Sequence, residues 1–195
     1  IEKLCGIPVQ TELASELRYN DPLIDEHTLL IALSQSGETA DTIAAVKEGQ
    51  RRGAKTLAIV NVVGSTIATM TDCCLYTYAG PEIAVATTKG YTTQLAVLYL
   101  FALYMGKALG RISPETHGQL LSALKALPKQ LQQALDMNPG LEALAKKYHN
   151  THSMFFIGRN TDSAVALEGA LKMKEISYIH SEAYAAGELK HGTIS

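Results

Sequence analysis

Short apolar runs alternate with amphipathic stretches along the first half of the chain. Residues 28–33, 56–61 and 73–77 are short and apolar, and they predict three strands. Residues 39–52 place apolar side chains at helical spacing and are followed by Gly53, the residue type favoured just after a helix. Continuous apolar strands separated by helices predict a parallel sheet with helices on both faces.

The pattern in the middle of the chain is mostly helical. Residues 92–109 are almost wholly apolar and predict a buried helix, whose apolar part is shorter than the ~20 residues that cross a bilayer. Residues 113–136 predict an amphipathic helix in which we expect Pro128 to cause a kink or a break. A further helix is predicted over residues 138–148.

The order of strand, glycine turn and helix begins again late in the chain. Residues 154–157 predict a strand, Gly158 a turn, and residues 163–179 a long helix. The sequence therefore predicts an α/β fold of two doubly wound units, the second incomplete in a chain that we expect to be a fragment of a longer protein. The predicted division is a first subdomain lacking its first strand, connecting helices, and the start of a second subdomain, over residues 1–112, 113–149 and 150–195.

Composition and charge exclude several classes of protein. The 195 residues are 47% hydrophobic and 18% charged, which is typical of a globular chain. Seventeen basic against nineteen acidic residues leave no basic excess, so we expect no nucleic-acid partner. Cys5, Cys73 and Cys74 form neither a disulfide framework nor a metal-ligand spacing, which favours a reducing cytoplasmic compartment without a metal. We expect no membrane association.

A turn rich in hydroxyl groups follows the first predicted strand and precedes a helix. Backbone N–H groups and the positive end of the helix favour an anion there, and Ser34, Ser36 and Thr39 add neutral donors. The turn contains no lysine and lacks the spacing of a nucleotide triphosphate loop, so a single phosphate on a small neutral body suits it better. The alternative is that Ser36 only caps the helix.

Two further groups are candidates for acid–base chemistry. Glu168, Lys172 and Glu175 share one face of the predicted helix because they stand four and then three residues apart. A partly buried carboxylate beside a lysine can serve as a general base, whereas the alternative is a solvated row of salt bridges. His191 lies downstream beside Gly192, and an imidazole titrates near neutrality.

Four segments together resemble a known family. The segment SQSGETADT at 34–42 is similar to the sugar-phosphate loop of sugar isomerase (SIS) domains. The segments PEIAVATTK at 81–89, LEGALKMKEISYIH at 167–180 and EAYAAGELKHG at 182–192 resemble the isomerase domain of the glutamine–fructose-6-phosphate aminotransferase family. The first motif is typical of the whole superfamily, and the last two are long and specific.

The resemblance implies an activity, partners and an architecture. It implies two SIS subdomains with five-stranded parallel sheets, a homodimer, and a glutaminase domain in the same parent chain. It implies conversion of fructose 6-phosphate and glutamine-derived ammonia into glucosamine 6-phosphate, a step toward UDP-N-acetylglucosamine, with no cofactor. We expect the 195 residues alone to be weakly active or inactive, because parts of the family's chain are missing.

The resemblance also implies a role for each candidate residue. Glu175 moves a proton between C1 and C2 of the sugar, Lys172 lies beside it with Glu168 behind, and His191 assists ring opening. Thr87 stands where the family often has serine, and Gly90 stands where alanine is usual. The residues implied to bind the phosphate are Ser34, Gln35, Ser36 and Thr39, and those implied to line the sugar site are Val85 and Thr87.

Two other functions stay open on the sequence. A regulatory SIS module would sense a sugar phosphate without chemistry, and it needs the hydroxyl loop but not Glu175 and His191. A phosphoheptose or arabinose-phosphate isomerase is a weaker candidate, because the segment 185–191 argues against it. The complete run from Glu168 to His191 favours the aminotransferase-type enzyme.

Overall fold

The computed structural model of this protein describes residues 1–193, which form two compact units. The first unit comprises Ile1–Ile83 and Thr87–Leu127, and the second comprises Ala84–Ala86 and the chain from Pro128 onward. Positions 194 and 195, at the end of the predicted second subdomain, lie outside the described residues. The division at 112 and 149 stays a prediction.

The first unit is built on a parallel sheet of three strands in the order β1–β2–β3. The three predicted strands and the helix after the first are confirmed to within one residue. The elements are α1 (Glu2–Cys5), α2 (Ala14–Leu17), β1 (Leu29–Ser34), α3 (Ala40–Arg51), β2 (Lys55–Val60), α4 (Thr66–Met70), β3 (Cys73–Tyr76), α5 (Thr88–Ala108) and the beginning of α6 (Pro114–Leu135).

The central strand explains why the apolar runs are continuous. All residues of β2 after Lys55 are buried, because β2 has a strand on each side and helices packed against it. The core cluster contains Ala32, Val46, Ala58, Val60 and Ile67. Since the strands are parallel, the loops that follow Ser34, Val60 and Tyr76 emerge at one edge of the sheet.

Helix α5 differs from its prediction in start and burial. It begins at Thr88, four residues earlier than predicted. The expectation that it lies wholly inside is wrong, because Tyr99 and Tyr104 are 49% and 69% exposed. Its buried residues are mostly small, and a Cβ on Gly106 would stand 2.8 Å from the Leu4 carbonyl oxygen of α1. Within the first unit, α5 therefore buries a narrow face of small side chains rather than its whole surface.

Helix α6 also differs from its prediction. It continues from Pro114 to Leu135 with Pro128 in its interior, so of the kink or break that we expected at this proline the break does not occur. The boundary between the two compact units falls at the same residue.

The second unit places one long helix against a parallel pair of strands. Its elements are α7 (Asn138–Tyr148), β4 (Ser153–Gly158), α8 (Thr161–Ser177) and β5 (His180–Ala185). Helix α8 packs on both strands and approaches β4 closely at Gly169, where a Cβ would stand 3.0 Å from the Phe156 ring. The sequence pattern missed β5.

The predicted fold class is confirmed: the chain is an α/β protein with parallel strands and flanking helices. The resemblance implied five strands in each sheet, and residues 1–193 contribute three to one sheet and two to the other. Across residues 1–193, none of the helices combines the length and the apolar character that crossing a membrane requires.

Candidate functional site

The loop after β1 is closed by its own hydroxyl groups. Ser34 is 6% exposed, and its Oγ accepts a hydrogen bond of 3.0 Å from the Gly37 N–H. The same Oγ lies 2.9 Å from Thr39 Oγ1, with which it shares a hydrogen bond. Thr39 is the N-cap residue of α3, yet its side chain makes no capping bond. The loop therefore presents two adjacent hydroxyls at the positive end of a twelve-residue helix.

Ser36 does not cap helix α3. It lies three residues before the N-cap Thr39, and its Oγ accepts a 3.1 Å hydrogen bond from the Glu38 N–H. This bond shapes the turn rather than the helix end, which removes the simplest alternative to a binding role for Ser36.

The loop is fastened to the start of α4. Gly37 has a φ of +69°, and a Cβ at this position would overlap Ser65 Oγ. The Glu38 carboxylate accepts hydrogen bonds of 2.8 and 2.7 Å from the backbone N–H and hydroxyl of Thr66. These bonds lower the pKa of Glu38. They also direct the carboxylate to Thr66, so the donors inside the loop are neutral groups.

Asn61, which the sequence reasoning missed, organises the same edge of the sheet. Its backbone N–H donates to the Gln35 carbonyl at 3.0 Å, and its Nδ2 donates to the Gly80 carbonyl at 2.8 Å. Its Oδ1 accepts from Thr77 Oγ1 and the Ala79 N–H at 3.1 and 2.8 Å. One signal could have found it: Asn61 directly follows β2, as Gln35 follows the end of β1.

The loop after β1 and the start of α5 lie side by side in the first unit. An open cleft at the sheet edge is lined by Gln35, Asn61, Tyr78 and Glu82, among others. Glu82 Oε2 accepts a 3.1 Å hydrogen bond from the Gly90 N–H, in the first turn of α5. A Cβ on Gly90 would stand 3.3 Å from Gln35 Cγ. The loop after β1 and the start of α5 therefore meet at this edge of the sheet, the place where ligands bind in folds of this class.

The second unit contains a compact group of charges on α8. Lys172 Nζ lies 2.6 Å from Glu175 Oε2 and 3.5 Å from Glu168 Oε1, and it donates a 2.8 Å hydrogen bond to the Ala86 carbonyl oxygen. The three charged side chains are 21–31% exposed. They therefore form a partly buried cluster rather than a solvated row of salt bridges.

The electrostatics keep Lys172 charged. Burial disfavours its ammonium form, but the hydrogen bond with Glu175 and the charges of Glu168 and Glu175 outweigh that effect and raise the pKa of Lys172. The cluster thus places the charged Lys172 ammonium group between the side chains of Glu168 and Glu175.

The remaining predicted residues are placed as follows. Val85 is 95% exposed, and Thr87 has a left-handed backbone with a φ of +38°. His191 is exposed in the turns that follow β5, and its backbone N–H donates a hydrogen bond of 2.9 Å to the Glu188 carbonyl oxygen. The first unit holds Ser34, Gln35, Ser36, Thr39 and Thr87, and the second holds Val85, Glu168, Lys172, Glu175 and His191.

These features define an α/β domain with a hydroxyl-lined loop, suited to a monophosphate, at the carboxyl edge of a parallel sheet. Comparison with known families agrees with that class. The chain belongs to the SIS domain family, whose model matches residues 1–104 and 147–195.

Individual relatives identify one group of proteins within the SIS family, and this group is the one that the motifs resemble. The chain is 57% identical over 195 residues to glutamine–fructose-6-phosphate aminotransferase (isomerizing) of Symbiobacterium thermophilum, and 53% identical to that of Clostridium tetani. Each match covers the whole chain and 32% of the relative. The chain thus spans about a third of the length of these curated relatives.

A solved structure of a protein from the same group is also similar to this chain. The C-terminal domain of glucosamine-fructose-6-phosphate aminotransferase from Francisella tularensis matches with a TM-score of 0.96 and 36% sequence identity. The match covers 99% of this chain and 55% of that one.

Proposed function

We propose that this chain is the sugar-isomerising part of an enzyme that converts fructose 6-phosphate and glutamine-derived ammonia into glucosamine 6-phosphate. The names of the full-length relatives support the reaction. The observation that carries the proposal is the Lys172 cluster, in which a partly buried carboxylate, Glu175, is held 2.6 Å from the Lys172 ammonium group. A module that only senses a sugar phosphate has no use for such a group.

In this proposal the hydroxyl loop binds the phosphate group. Ser34, Gln35, Ser36 and Thr39 supply neutral donors, and the first turn of α3 supplies backbone N–H groups. Since Glu38 is bonded to Thr66, its charge is not directed at the anion. Neutral donors suit a substrate that must leave again as a product with the same phosphate.

Glu175 is proposed as the group that moves the proton. The open-chain ketose first forms an imine at C2 with ammonia, releasing water. The Glu175 carboxylate then takes a proton from C1 while the imine nitrogen gains one, which gives an enolamine. The protonated Glu175 returns its proton to C2, and the C1 hydroxyl releases its own proton, which balances the one gained by nitrogen, to become the aldehyde. One carboxylate that reaches both carbons is sufficient for this transfer.

The other residues are proposed to prepare that step. His191 assists opening of the sugar ring, since an imidazole both donates and accepts a proton near neutrality. Lys172 positions the Glu175 carboxylate, with Glu168 paired to the same ammonium group, and Val85 and Thr87 line the sugar.

Three further features belong to the same proposal. The ammonia comes from a glutaminase domain of the same parent chain, the enzyme is a homodimer, and its compartment is cytoplasmic. The free thiols of Cys5, Cys73 and Cys74 agree with a reducing environment.

Product analysis tests the proposal. The full-length protein should form glucosamine 6-phosphate from fructose 6-phosphate when glutamine is the nitrogen donor. Absence of that product, with folded protein and both substrates present, would contradict the proposed function.

A further inference from the structure

One close contact at the start of α5 has a consequence for the proposed site. Gly90 lies three residues after Thr87, and a Cβ built on Gly90 would stand only 2.7 Å from Thr87 Cγ2. The same position lies 3.3 Å from Gln35 Cγ and 3.5 Å from Glu82 Oε2. The γ-methyl of Thr87 thus occupies the space that any side chain at position 90 would need.

The backbone does not require glycine at this position. Gly90 is buried within a regular helix, and it is not among the glycines with a positive φ. Glycine inside a helix is less favourable than alanine. The contribution of Gly90 is therefore steric: it leaves a notch in the first turn of α5.

The notch restricts the side chain of Thr87. The γ-methyl and the hydroxyl are both attached to Cβ, so fixing one of them fixes the direction of the other. The left-handed backbone of Thr87, with a φ of +38°, is unusual for a β-branched residue and persists only where the surroundings hold it. A Cβ at position 90 would force Thr87 to rotate about its Cα–Cβ bond, which moves the hydroxyl to another direction.

We infer that Gly90 is a positioning residue for the sugar site: its notch seats the methyl group of Thr87 and thereby directs the Thr87 hydroxyl toward the sugar phosphate. This inference rests on the proposed function for its substrate. Its steric part rests only on the contact between the two residues.

A double-mutant cycle in the full-length protein tests the inference. Gly90→Ala should weaken fructose 6-phosphate binding about tenfold when Thr87 is present, because the displaced hydroxyl no longer meets the substrate. In the Thr87→Ser background, which removes the methyl but keeps a hydroxyl, Gly90→Ala should change the affinity of that variant less than about twofold. The gain in helix propensity is common to both backgrounds, so it cancels in the cycle.

Gly118→Ala is the matched control, since no atom lies within 4 Å of a Cβ built on this helical glycine of α6. It should leave the affinity unchanged. Equal effects of Gly90→Ala in the two backgrounds would overturn the inference.

The melting temperatures of the four proteins of the cycle separate this inference from the proposed function. These proteins are the parent, Gly90→Ala, Thr87→Ser and the double variant. Failure of the unsubstituted protein to bind fructose 6-phosphate would contradict the proposed function. Non-additive changes in melting temperature at positions 87 and 90 would still support the inferred contact between the Thr87 methyl group and the notch at Gly90. Additive changes would overturn it.

Discussion

The ammonium group of Lys172 donates a hydrogen bond of 2.8 Å to the carbonyl oxygen of Ala86, a residue 86 positions away in the sequence. The same ammonium lies 2.6 Å from the Glu175 carboxylate. One side chain thus ties the segment Ala84–Ala86, which contains Val85, to the carboxylate that we propose as the base.

Lys172→Met should destabilise the protein and slow catalysis together. The change leaves the Ala86 carbonyl and two partly buried carboxylates without their shared donor, which costs about 1–3 kcal/mol in the free energy of unfolding. Lys146→Met is the matched control, because Lys146 and Glu142 form a solvent-exposed pair that contributes less than about 1 kcal/mol. Equal losses in the two variants, measured by denaturant unfolding, would contradict the role of Lys172.

Glu175→Gln should abolish turnover while fructose 6-phosphate still binds. The amide has nearly the shape of the carboxylate but cannot accept the C1 proton, so we expect a fall in kcat of about 100- to 10,000-fold. Glu142→Gln, which removes an exposed carboxylate on α7, should leave kcat unchanged. Undiminished turnover in the Glu175 variant would remove the assignment of the base.

Ser34→Ala should lower both the stability of the protein and the affinity of the loop after β1 for phosphate. The change leaves the buried Gly37 N–H without its acceptor and Thr39 without its hydroxyl partner, at a cost of about 1–3 kcal/mol. Inhibition by inorganic phosphate should weaken in parallel with fructose 6-phosphate binding, because both depend on the same donors. Ser122→Ala, on the exposed face of α6, provides the control. A normal affinity for phosphate in the Ser34 variant would count against this loop as the phosphate site.

Acid should destabilise the first unit through Glu48. Hydrogen bonds from Arg51 and Arg52 lower the pKa of Glu48 from its usual 4.5 to about 2. A carboxylate with a lowered pKa stabilises the fold above its usual pKa, and that contribution disappears as the pH falls from about 4.5 to 2. Glu48→Gln should therefore be less stable at neutral pH and lose less stability over this range. Parallel pH profiles for variant and parent would contradict the expectation.

The sequence pattern predicted those parts of the fold in which local and global preferences agree. The central strand β2 has a neighbour on each side, so its residues form one apolar run that is easy to recognise. The turn from Ser34 to Thr39 was equally clear, because its hydroxyls are close in sequence and in space. The pattern does not reveal strand β5, because its segment HSEAYA contains titratable residues and lacks a continuous apolar run. Within residues 1–193, β5 pairs only with β4, in a two-stranded sheet.

The contacts that shape the candidate site could not be predicted because they join distant residues or depend on backbone geometry. Nothing in the pattern indicates that Lys172 reaches the Ala86 carbonyl, or that Asn61 bonds both to the loop after β1 and to the loop after β3. In the sequence, Thr87 and Gly90 are two separate departures from the family pattern. No local periodicity reveals their contact or the left-handed backbone at Thr87.

Calorimetric titration of the full-length protein with fructose 6-phosphate tests the central claim most directly. We expect saturable binding in the unsubstituted protein and in Glu175→Gln, and binding about tenfold weaker in Ser36→Ala. A folded protein that gives no binding heat, or a Ser36→Ala variant with the affinity of its parent, would contradict the claim that this loop holds a sugar phosphate.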